Sequence, residues 1–304
     1  MTLSIIIVNY NTRELLRACL QSVFEQTREI AFEIIVIDNA STDGSREMLR
    51  DAFPQVHVIH NENNRGFAAA NNQGIRLATG KYILLLNSDT VILDRAIQKT
   101  LLYMTEHSKA NIVGCKLLNP DGTLQPSCRS FPTPWNLFCE ASFLYLLFKR
   151  TRLFGTYYMS HFDHNTSRRV DFVMGAFMLI KREVFEHVGL LDEEYFMYTE
   201  EMDWCYRAAQ LGHQVHFTPA ARIIHVLGGS TSNRQSYFDQ LHLSQMRFIR
   251  KHFRGLKKVL GLSLKRFGIA LRIPVYGLVG MLPGKRDLMK KSLTYARVLM
   301  KALR

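Results

Sequence analysis

The stretch ILLLNSDTVIL, from Ile83 to Leu93, decides the fold, because an apolar run ends abruptly in three polar residues. A continuously apolar strand is typical of a sheet whose two faces are both covered by helices. Two earlier runs, LSIIIVNYN from Leu3 and FEIIVIDN from Phe32, share this pattern, and helix-like amphipathic segments separate the runs. The resulting βαβαβαβ order predicts an α/β fold with a mostly parallel, doubly wound, Rossmann-like sheet.

Polar side chains follow three of these predicted strands. In sheets of this kind, ligands bind beyond the carboxyl ends of the strands. We therefore expect one crevice to be lined by the residues at those ends, which are Asn9, Tyr10, Asn11, Asp38, Asn39, Asn87, Ser88 and Asp89.

The turn after the first strand reads NYNTRELL and lacks the glycines that let a dinucleotide-binding backbone approach a pyrophosphate. The chain also contains no GxxxxGK[ST] motif. A bound diphosphate would need another positive partner, and a divalent cation, Mg²⁺ or Mn²⁺, held by Asp89 is the simplest candidate. The alternative is that Asn87, Ser88 and Asp89 form a turn and cap the next helix.

Six motifs follow one another along the chain, from about Leu3 to about Ser232. They are IIIVNYNT, VIDNASTDGS, NRGFAAANNQGI, LLLNSDT, GAFMLIKREVFEHVGLLDEEYFMYTEEMDWCYRAAQLG and ARIIHVLGGS. Together they resemble the family 2 glycosyltransferases with the glycosyltransferase-A fold, especially bacterial rhamnosyltransferases of polysaccharide assembly. The resemblance implies an inverting, metal-dependent enzyme. It would move a sugar, possibly rhamnose, from a nucleotide diphosphate donor to a hydroxyl of a lipid-linked or polysaccharide acceptor in bacterial cell-surface glycan synthesis.

The resemblance also assigns roles to residues of the crevice. Asp38 matches the carboxylate that contacts the nucleotide base, and Arg65 and Gly66 lie where the family binds the donor. The NSD segment corresponds to the metal-binding acidic motif, so Asp89 is the implied metal ligand, with Asn87 in place of the first acid. The implied donor-binding set is Asn9, Tyr10, Asn11, Asp38, Arg65, Gly66 and Ser88.

One further metal ligand is implied. His225 matches a position that supplies a metal-binding histidine in some members of the family. The alternative is a packed or hydrogen-bonded histidine after a strand.

The segment TEEMDW matches the acidic pair of the family, whose second member is the general base. That position is Glu201, where members usually carry aspartate. Independently, a helical stripe of Met202, Cys205, Tyr206 and Ala209 would turn Glu200 away from the core, and Asp203 would pair with Arg207 four residues on. The segment VMGAF matches the acceptor-side loop. The predicted acceptor side comprises Gly175, Glu200, Asp203 and Trp204.

The middle of the chain contains an apolar run of 12 residues, Leu137 to Phe148, which is too short to span a bilayer and predicts a buried or interfacial helix. We expect a catalytic domain over residues 1–244, with a nucleotide-sugar-binding half over 1–115 and an acceptor half over 116–244. A basic amphipathic helical tail over 245–304 would follow.

This tail carries 16 Lys and Arg against one Asp, whereas the preceding residues have a net charge of −2. Lys251, Lys258, Lys265 and Arg272 recur every seven residues, as in a helix with a positive stripe. Basic amphipathic helices lie on anionic membranes, so an anionic membrane surface is the predicted partner, rather than nucleic acid. The alternatives are nucleic-acid binding and a helix pair packed on the body.

The apolar start has no basic n-region and no small-residue cleavage site, and the five cysteines are scattered without CxxC spacing. These features predict a cytoplasmic protein, held peripherally on the inner face of the plasma membrane. Two rival functions remain open. One is a nucleotidyltransferase, and the other is a catalytically silent protein that binds a sugar nucleotide or a membrane.

Overall fold

The predicted order of strands and helices in the first third of the chain is confirmed. The computed structural model describes residues 2–226 and 234–303; the end of the sixth motif, residues 227–230, and Arg304 lie outside these ranges. The first elements are β1 (Leu3–Asn9), α1 (Arg13–Gln26), β2 (Phe32–Asp38), α2 (Ser45–Ala52), β3 (His57–His60), α3 (Phe67–Leu77) and β4 (Tyr82–Asn87).

The later elements extend this sheet and add helices. The strands are β5 (Thr90–Leu93), β6 (Ala110–Leu118), β7 (Leu124–Gln125), β8 (Cys128–Arg129), β9 (Arg168–Val170), β10 (Phe172–Val173), β11 (Phe177–Lys181) and β12 (Gln214–His225). The helices are α4 (Ala96–Glu106), α5 (Pro134–Ala141), α6 (Leu144–Leu147), α7 (Arg182–Val188), α8 (Glu200–Gln210), α9 (Arg234–His252), α10 (Gly255–Gly280) and α11 (Arg286–Leu303).

The main sheet has the strand order β3-β2-β1-β4-β11-β6-β12-β5. Strands β3, β2, β1 and β4 are parallel, and β6 is parallel to β12, whereas β11 and β5 run antiparallel to their neighbours. The α/β class and the mostly parallel sheet are therefore confirmed, with four antiparallel strands beyond β4: β11, β5 and the short strands β7 and β9, which pair with β6 and β12.

Helices pack closely on β1, whose side chains Ile5, Ile6 and Ile7 have no exposed surface. Helix α3 approaches this strand at Gly74, where an added Cβ would lie 2.5 Å from Ile6 Cγ2. A glycine is required there because any larger residue would push the helix off the sheet.

The chain divides into two compact units. The first comprises Met1–Arg129, Asp163–Phe196 and Glu200–Ser232, and the second comprises Ser130–Phe162, Met197–Thr199 and Asn233–Arg304. This division does not coincide with the predicted boundary at residue 244, since α9 runs across it and residues 130–162 group with the C-terminal helices. The predicted apolar helix is two short helices, α5 and α6, separated by Phe143 in the left-handed region at φ 62°.

The expected positive stripe of the tail is not exposed as a whole. Lys265 is only 4% exposed and donates to Glu140 Oε1 at 2.9 Å. Arg272 is also buried, donates to the carbonyl oxygens of Gly268 and Glu140, and lies over the ring of Phe143 at 4.6 Å. Two of the four basic residues thus hold α10 against α5 instead of facing outward. Within the described ranges, no helix is both long and apolar enough to cross a bilayer.

Replacing Lys265 by methionine is expected to lower the free energy of unfolding by about 3–5 kcal/mol. Burial would raise the pKa of Glu140, but Lys265 lowers it below its ordinary value, so the carboxylate is charged and loses its partner in this variant. The double variant Glu140→Leu/Lys265→Met should recover part of the loss, because the unpaired carboxylate is removed, while buried Arg272 keeps its hydrogen bonds to the carbonyl oxygens of Gly268 and Glu140. Denaturant unfolding checks both, and a single variant as stable as the wild type contradicts the structural role of the pair.

Candidate active site

The polar residues at the strand ends lie side by side, as the parallel sheet predicts. In the register of the sheet, Asn9 is opposite Asp38, and Asn87 is opposite Val8. Asn9 Nδ2 donates to Asp38 Oδ1 at 3.1 Å. Thr12 links two of the strand ends, because its hydroxyl donates to Asn9 Oδ1 at 2.6 Å and contacts Ser88 Oγ at 2.9 Å.

Asp38 is a buried carboxylate surrounded by donors. Its Oδ2 accepts from Arg46 Nε at 2.9 Å, and His60 Nδ1 lies 3.5 Å away. Burial would raise the pKa of Asp38, but hydrogen bonds from Ser41, Arg46, Asn9 and His60 lower it below its ordinary value. The side chain is therefore ionised and fixed in place. Its contact with a nucleotide base stays a prediction.

The loop after β1 is tied to the loop after β2. Asn11, in the left-handed region at φ 53°, accepts a hydrogen bond from the backbone N–H of Thr42 at 2.7 Å. Its neighbour Tyr10 is exposed, so the ring is available for stacking. The loop geometry explains Asn11 structurally, whereas a donor contact of either residue stays a prediction.

Arg65 and Gly66 lie in a loop held by Asn39, one of the polar residues that the sequence places at the end of β2. Asn39 Oδ1 accepts from the backbone N–H of Arg65 at 3.1 Å, and its Nδ2 donates to Asn64 at 2.8 Å. Gly66 has φ 83°, and a Cβ there would lie 2.5 Å from the carbonyl oxygen of Phe196. The glycine is thus needed for close packing, while the Arg65 side chain is exposed.

Asp89 and His225, far apart in the chain, meet because β12 pairs with β5. His225 is opposite Thr90 in this pairing, and the backbone N–H of Val226 donates to the carbonyl oxygen of Asp89 at 2.9 Å. His225 Nε2 lies 3.3 Å from Asp89 Oδ1 and 3.4 Å from Asn87 Nδ2. Residues 88 and 89 form a turn between two strands, so Asp89 does not cap a helix.

The residues of this corner fit a divalent cation. Among the described residues, the buried atoms Asp89 Oδ1 and Asn87 Oδ1 have no hydrogen-bond donor. Carboxylate and amide oxygens suit Mg²⁺ and Mn²⁺, and Mg²⁺ is commonly held by one or two carboxylates together with substrate phosphates. In residues 2–226 and 234–303, no three His, Cys, Asp or Glu side chains form a complete metal cluster. The phosphates of a bound nucleotide would have to complete the coordination of the cation.

The acidic pair begins helix α8, and the structure corrects one expectation about it. Glu200 does not point outward but is 4% exposed. Burial, and next the charge of Glu201, raise the pKa of Glu200 well above its ordinary value. Burial and the neighbouring charge therefore favour the protonated form of Glu200 over that of an ordinary glutamate, and Glu201 is the better candidate for the ionised member of the pair. The two preceding residues, Tyr198 and Thr199, have φ values of 66° and 78°, a strained entry to the helix.

The other residues assigned to the acceptor side have different surroundings. A Cβ on Gly175 would lie 3.9 Å from Glu201 Cβ, so this glycine is next to the acidic pair. Asp203 is buried and accepts from Arg207 Nε at 2.9 Å, which is the predicted helical ion pair. Trp204 is a correction: it is fully buried and its Nε1 donates to the carbonyl oxygen of Gly189 at 2.8 Å, so it is a core residue.

Similarity to known proteins shows which family this chain belongs to. The sequence profile of glycosyl transferase family 2 matches residues 4–189. The chain belongs to this family. The low-salt glycan biosynthesis hexosyltransferase Agl10 of Haloferax volcanii is 32% identical over 212 residues, which are 68% of this chain and 61% of that protein. An N-acetylglucosaminyl-diphospho-decaprenol L-rhamnosyltransferase of Mycobacterium tuberculosis is 25% identical over 242 residues, 75% of this chain and 77% of that protein.

The fold of this chain resembles that of a solved structure. It is the mannosyltransferase PcManGT of Pyrobaculum calidifontis in complex with GDP-Man and Mn²⁺, with a TM-score of 0.59, 15% identity, and coverage of 99% of this chain and 86% of that one. The glycosyltransferase-A fold is thereby confirmed. The chain spans 61% of the length of Agl10, and 49% and 37% of two further relatives.

Proposed function

We propose that this family 2 protein is an inverting, metal-dependent glycosyltransferase. It moves a sugar, with rhamnose as the first candidate, from a nucleotide diphosphate donor to a hydroxyl of a glycan or polyprenol-linked acceptor in bacterial cell-surface glycan synthesis. The observation that carries the proposal is the corner formed by Asp89, Asn87 and His225 at the carboxyl edge of the sheet, with two buried oxygens that lack donors. The rhamnosyltransferase and hexosyltransferase relatives support the choice of reaction.

On the donor side, Asp89 and His225 would hold Mg²⁺ or Mn²⁺, with Asn87 Oδ1 beside them. The cation, when bound, would neutralise the charge that develops on the leaving diphosphate. Asp38 would accept from the nucleotide base, while Tyr10 is exposed for stacking and Arg65 for a charge contact. The cation and these side chains would together bind the diphosphate and the base without a glycine-rich phosphate-binding loop.

On the acceptor side, Glu201 would take the proton of the attacking hydroxyl. Burial and the charge of Glu201 raise the pKa of Glu200, which favours the protonated form that donates a hydrogen bond and makes Glu200 the poorer candidate for the base. Attack by the acceptor oxygen on the face opposite the leaving diphosphate inverts the anomeric carbon. Gly175 lies beside Glu201, since a Cβ added to it would be in van der Waals contact with Phe67 at 3.8 Å and with Glu201 at 3.9 Å.

A panel of thymidine, uridine and guanosine diphosphate sugars tests the proposal, with thermal unfolding and product formation both measured. Stabilisation by one donor in the presence of Mn²⁺, together with a glycoside product, is expected. Transfer of the nucleotide instead of the sugar would indicate the rival nucleotidyltransferase. Binding without any product would indicate the catalytically silent protein.

The membrane partner is also proposed, on the basis of the surface of the second unit. Of the 21 large apolar side chains exposed among the described residues, 16 belong to this unit, which is roughly a third of the chain. The run LLFKRTRL, residues 146–153, is exposed throughout, and its three basic side chains lie between apolar side chains at the two ends of the run. Apolar side chains flanked by Lys and Arg favour the headgroup region of an anionic leaflet. We place the protein on the cytoplasmic face of the membrane, where a polyprenol-linked acceptor would be anchored.

The double variant Leu147→Gln/Leu153→Gln is expected to weaken binding to anionic vesicles by about 30-fold. Each leucine contributes roughly 1 kcal/mol when its exposed surface is buried in lipid. The matched control is Leu102→Gln/Leu211→Gln in the first unit, where the two leucines are 57% and 58% exposed, against 73% and 58% for the test pair. Vesicle cosedimentation measures both. Equal losses in the two pairs, or tight DNA binding without a preference for anionic lipid, would contradict the membrane role.

A further inference from the structure

Gln125, at the end of β7, contacts His225 through both ends of its side-chain amide. Gln125 Nε2 donates to the backbone carbonyl oxygen of His225 at 3.2 Å, and Oε1 lies 2.6 Å from His225 Nδ1. Gln125 is 6% exposed and His225 is 4% exposed, so bulk water does not compete for these bonds. A single amide therefore clamps the main chain and the imidazole of one residue.

The direction of this amide is fixed by its other partners. The carbonyl oxygen of His225 can only accept, and the second hydrogen of Gln125 Nε2 is donated to Asn119 Oδ1 at 2.9 Å. Asn119 is oriented in turn, because its Nδ2 donates to Thr123 Oγ1 at 2.9 Å and the Thr123 hydroxyl donates to Asp121 at 2.6 Å. A flipped Gln125 amide would set its oxygen against two acceptors. Its Oε1 must therefore face His225 Nδ1.

An acceptor at this position determines which imidazole nitrogen carries the hydrogen. Since Gln125 Oε1 accepts, His225 Nδ1 donates, and the lone pair of the neutral ring is on Nε2. Nε2 is the atom 3.3 Å from Asp89 Oδ1. The lone pair of Nε2 then faces Asp89 Oδ1, with Asn87 Nδ2 as a long-range donor 3.4 Å away. A cation held by Nε2 and Asp89 Oδ1 would satisfy both of these acceptor atoms.

We propose that Gln125 is a positioning residue that keeps neutral His225 in the Nδ1–H tautomer and directs Nε2 toward the metal corner. The inference rests on the proposed function, in which Asp89 and His225 hold the cation. Partners that orient a metal-binding histidine typically change metal affinity by 10–100-fold when they are removed.

The test compares three variants by ¹⁵N NMR of the His225 ring in the metal-free protein and by calorimetry with Mn²⁺ and a nucleoside diphosphate. In Gln125→Leu, which loses both hydrogen bonds to His225 and the one to Asn119, the ring should shift toward the Nε2–H tautomer and Mn²⁺-dependent binding should weaken by about 10–100-fold. Gln125→Glu loses the two hydrogen bonds that Nε2 donates but retains an acceptor for Nδ1, so it should keep the wild-type tautomer. The matched control is Gln98→Leu in helix α4, which removes an amide that donates to the carbonyl oxygen of Arg28. This variant should change neither readout.

The outcomes separate this inference from the proposed function. An Nε2–H tautomer in the wild type, or an unchanged tautomer or Mn²⁺ affinity in Gln125→Leu, overturns the role of Gln125. His225→Ala supplies the other arm: if it binds Mn²⁺ and the nucleoside diphosphate as tightly as the wild type, the metal role of His225 itself fails. If His225→Ala weakens binding and Gln125→Leu does not, only the inference about Gln125 fails.

Discussion

Replacing Glu201 by glutamine should reduce sugar transfer by about 10²–10⁴-fold while donor affinity stays close to that of the wild type. A general base contributes this factor by accepting a proton in the transition state, and an amide of nearly the same shape cannot accept it. The loss should appear in kcat and not in the binding of the donor. Steady-state kinetics at saturating donor, together with calorimetry of donor binding, measures the two quantities separately.

Glu200→Gln is the matched control, because its amide resembles the protonated acid that burial and Glu201 produce. This variant should keep activity within a few-fold of the wild type. If Glu200→Gln is the inactive variant and Glu201→Gln is active, the roles of the two carboxyl groups have been assigned in the wrong order.

Replacing Asp89 by asparagine should weaken cation-dependent binding of the nucleoside diphosphate by about 100-fold or more. The change keeps the shape of the side chain but removes the negative charge that would hold the cation, and a bound cation contributes several kcal/mol of charge stabilisation to the transition state. Transfer should fall at least in proportion. Calorimetry with Mn²⁺, with Mg²⁺ and with EDTA gives the affinity in each condition.

The control for this variant is Asp94→Asn. Asp94 is five residues further along the chain, is half exposed and pairs with Arg222 in the wild type. It should bind nucleoside diphosphate and cation as the wild type does. Undiminished affinity in Asp89→Asn, or equal affinity of the wild type in EDTA and in Mn²⁺, would remove the proposed metal role.

The sequence was sufficient for the part of the fold that local patterns determine. Apolar runs and polar strand ends predicted β1, β2 and β4 with their neighbouring helices. A parallel strand covered by helices on both faces must be apolar along its whole length, so it is easily recognised in the sequence. The contact between Asp89 and His225 depends on the pairing of β12 with β5, a long-range register that no local pattern contains. Only the resemblance to the family pointed to His225, and nothing in the sequence pointed to Gln125.

The wrong predictions for Glu200 and Lys265 have a common physical cause. Helical periodicity placed Glu200 outward and Lys265 on an exposed stripe, since charged residues are rarely buried without partners. Both are buried because distant or neighbouring groups compensate: Glu140 of α5 pairs with Lys265, and a raised pKa favours the neutral form of Glu200. Trp204 is a core residue for the complementary reason, as the Gly189 carbonyl satisfies its only donor. Such compensation is visible only once the elements have packed.

The most direct test of the central claim is an NMR time course of one reaction, with a nucleotide diphosphate sugar, a glycan acceptor and Mn²⁺, in which the anomeric configuration of the product is read. An inverting, metal-dependent transferase should form a glycoside whose anomeric configuration is opposite to that of the donor, together with the free nucleoside diphosphate. EDTA should suppress this product. A product that retains the donor configuration, a transferred nucleotide, or undiminished transfer in EDTA would contradict the proposed mechanism.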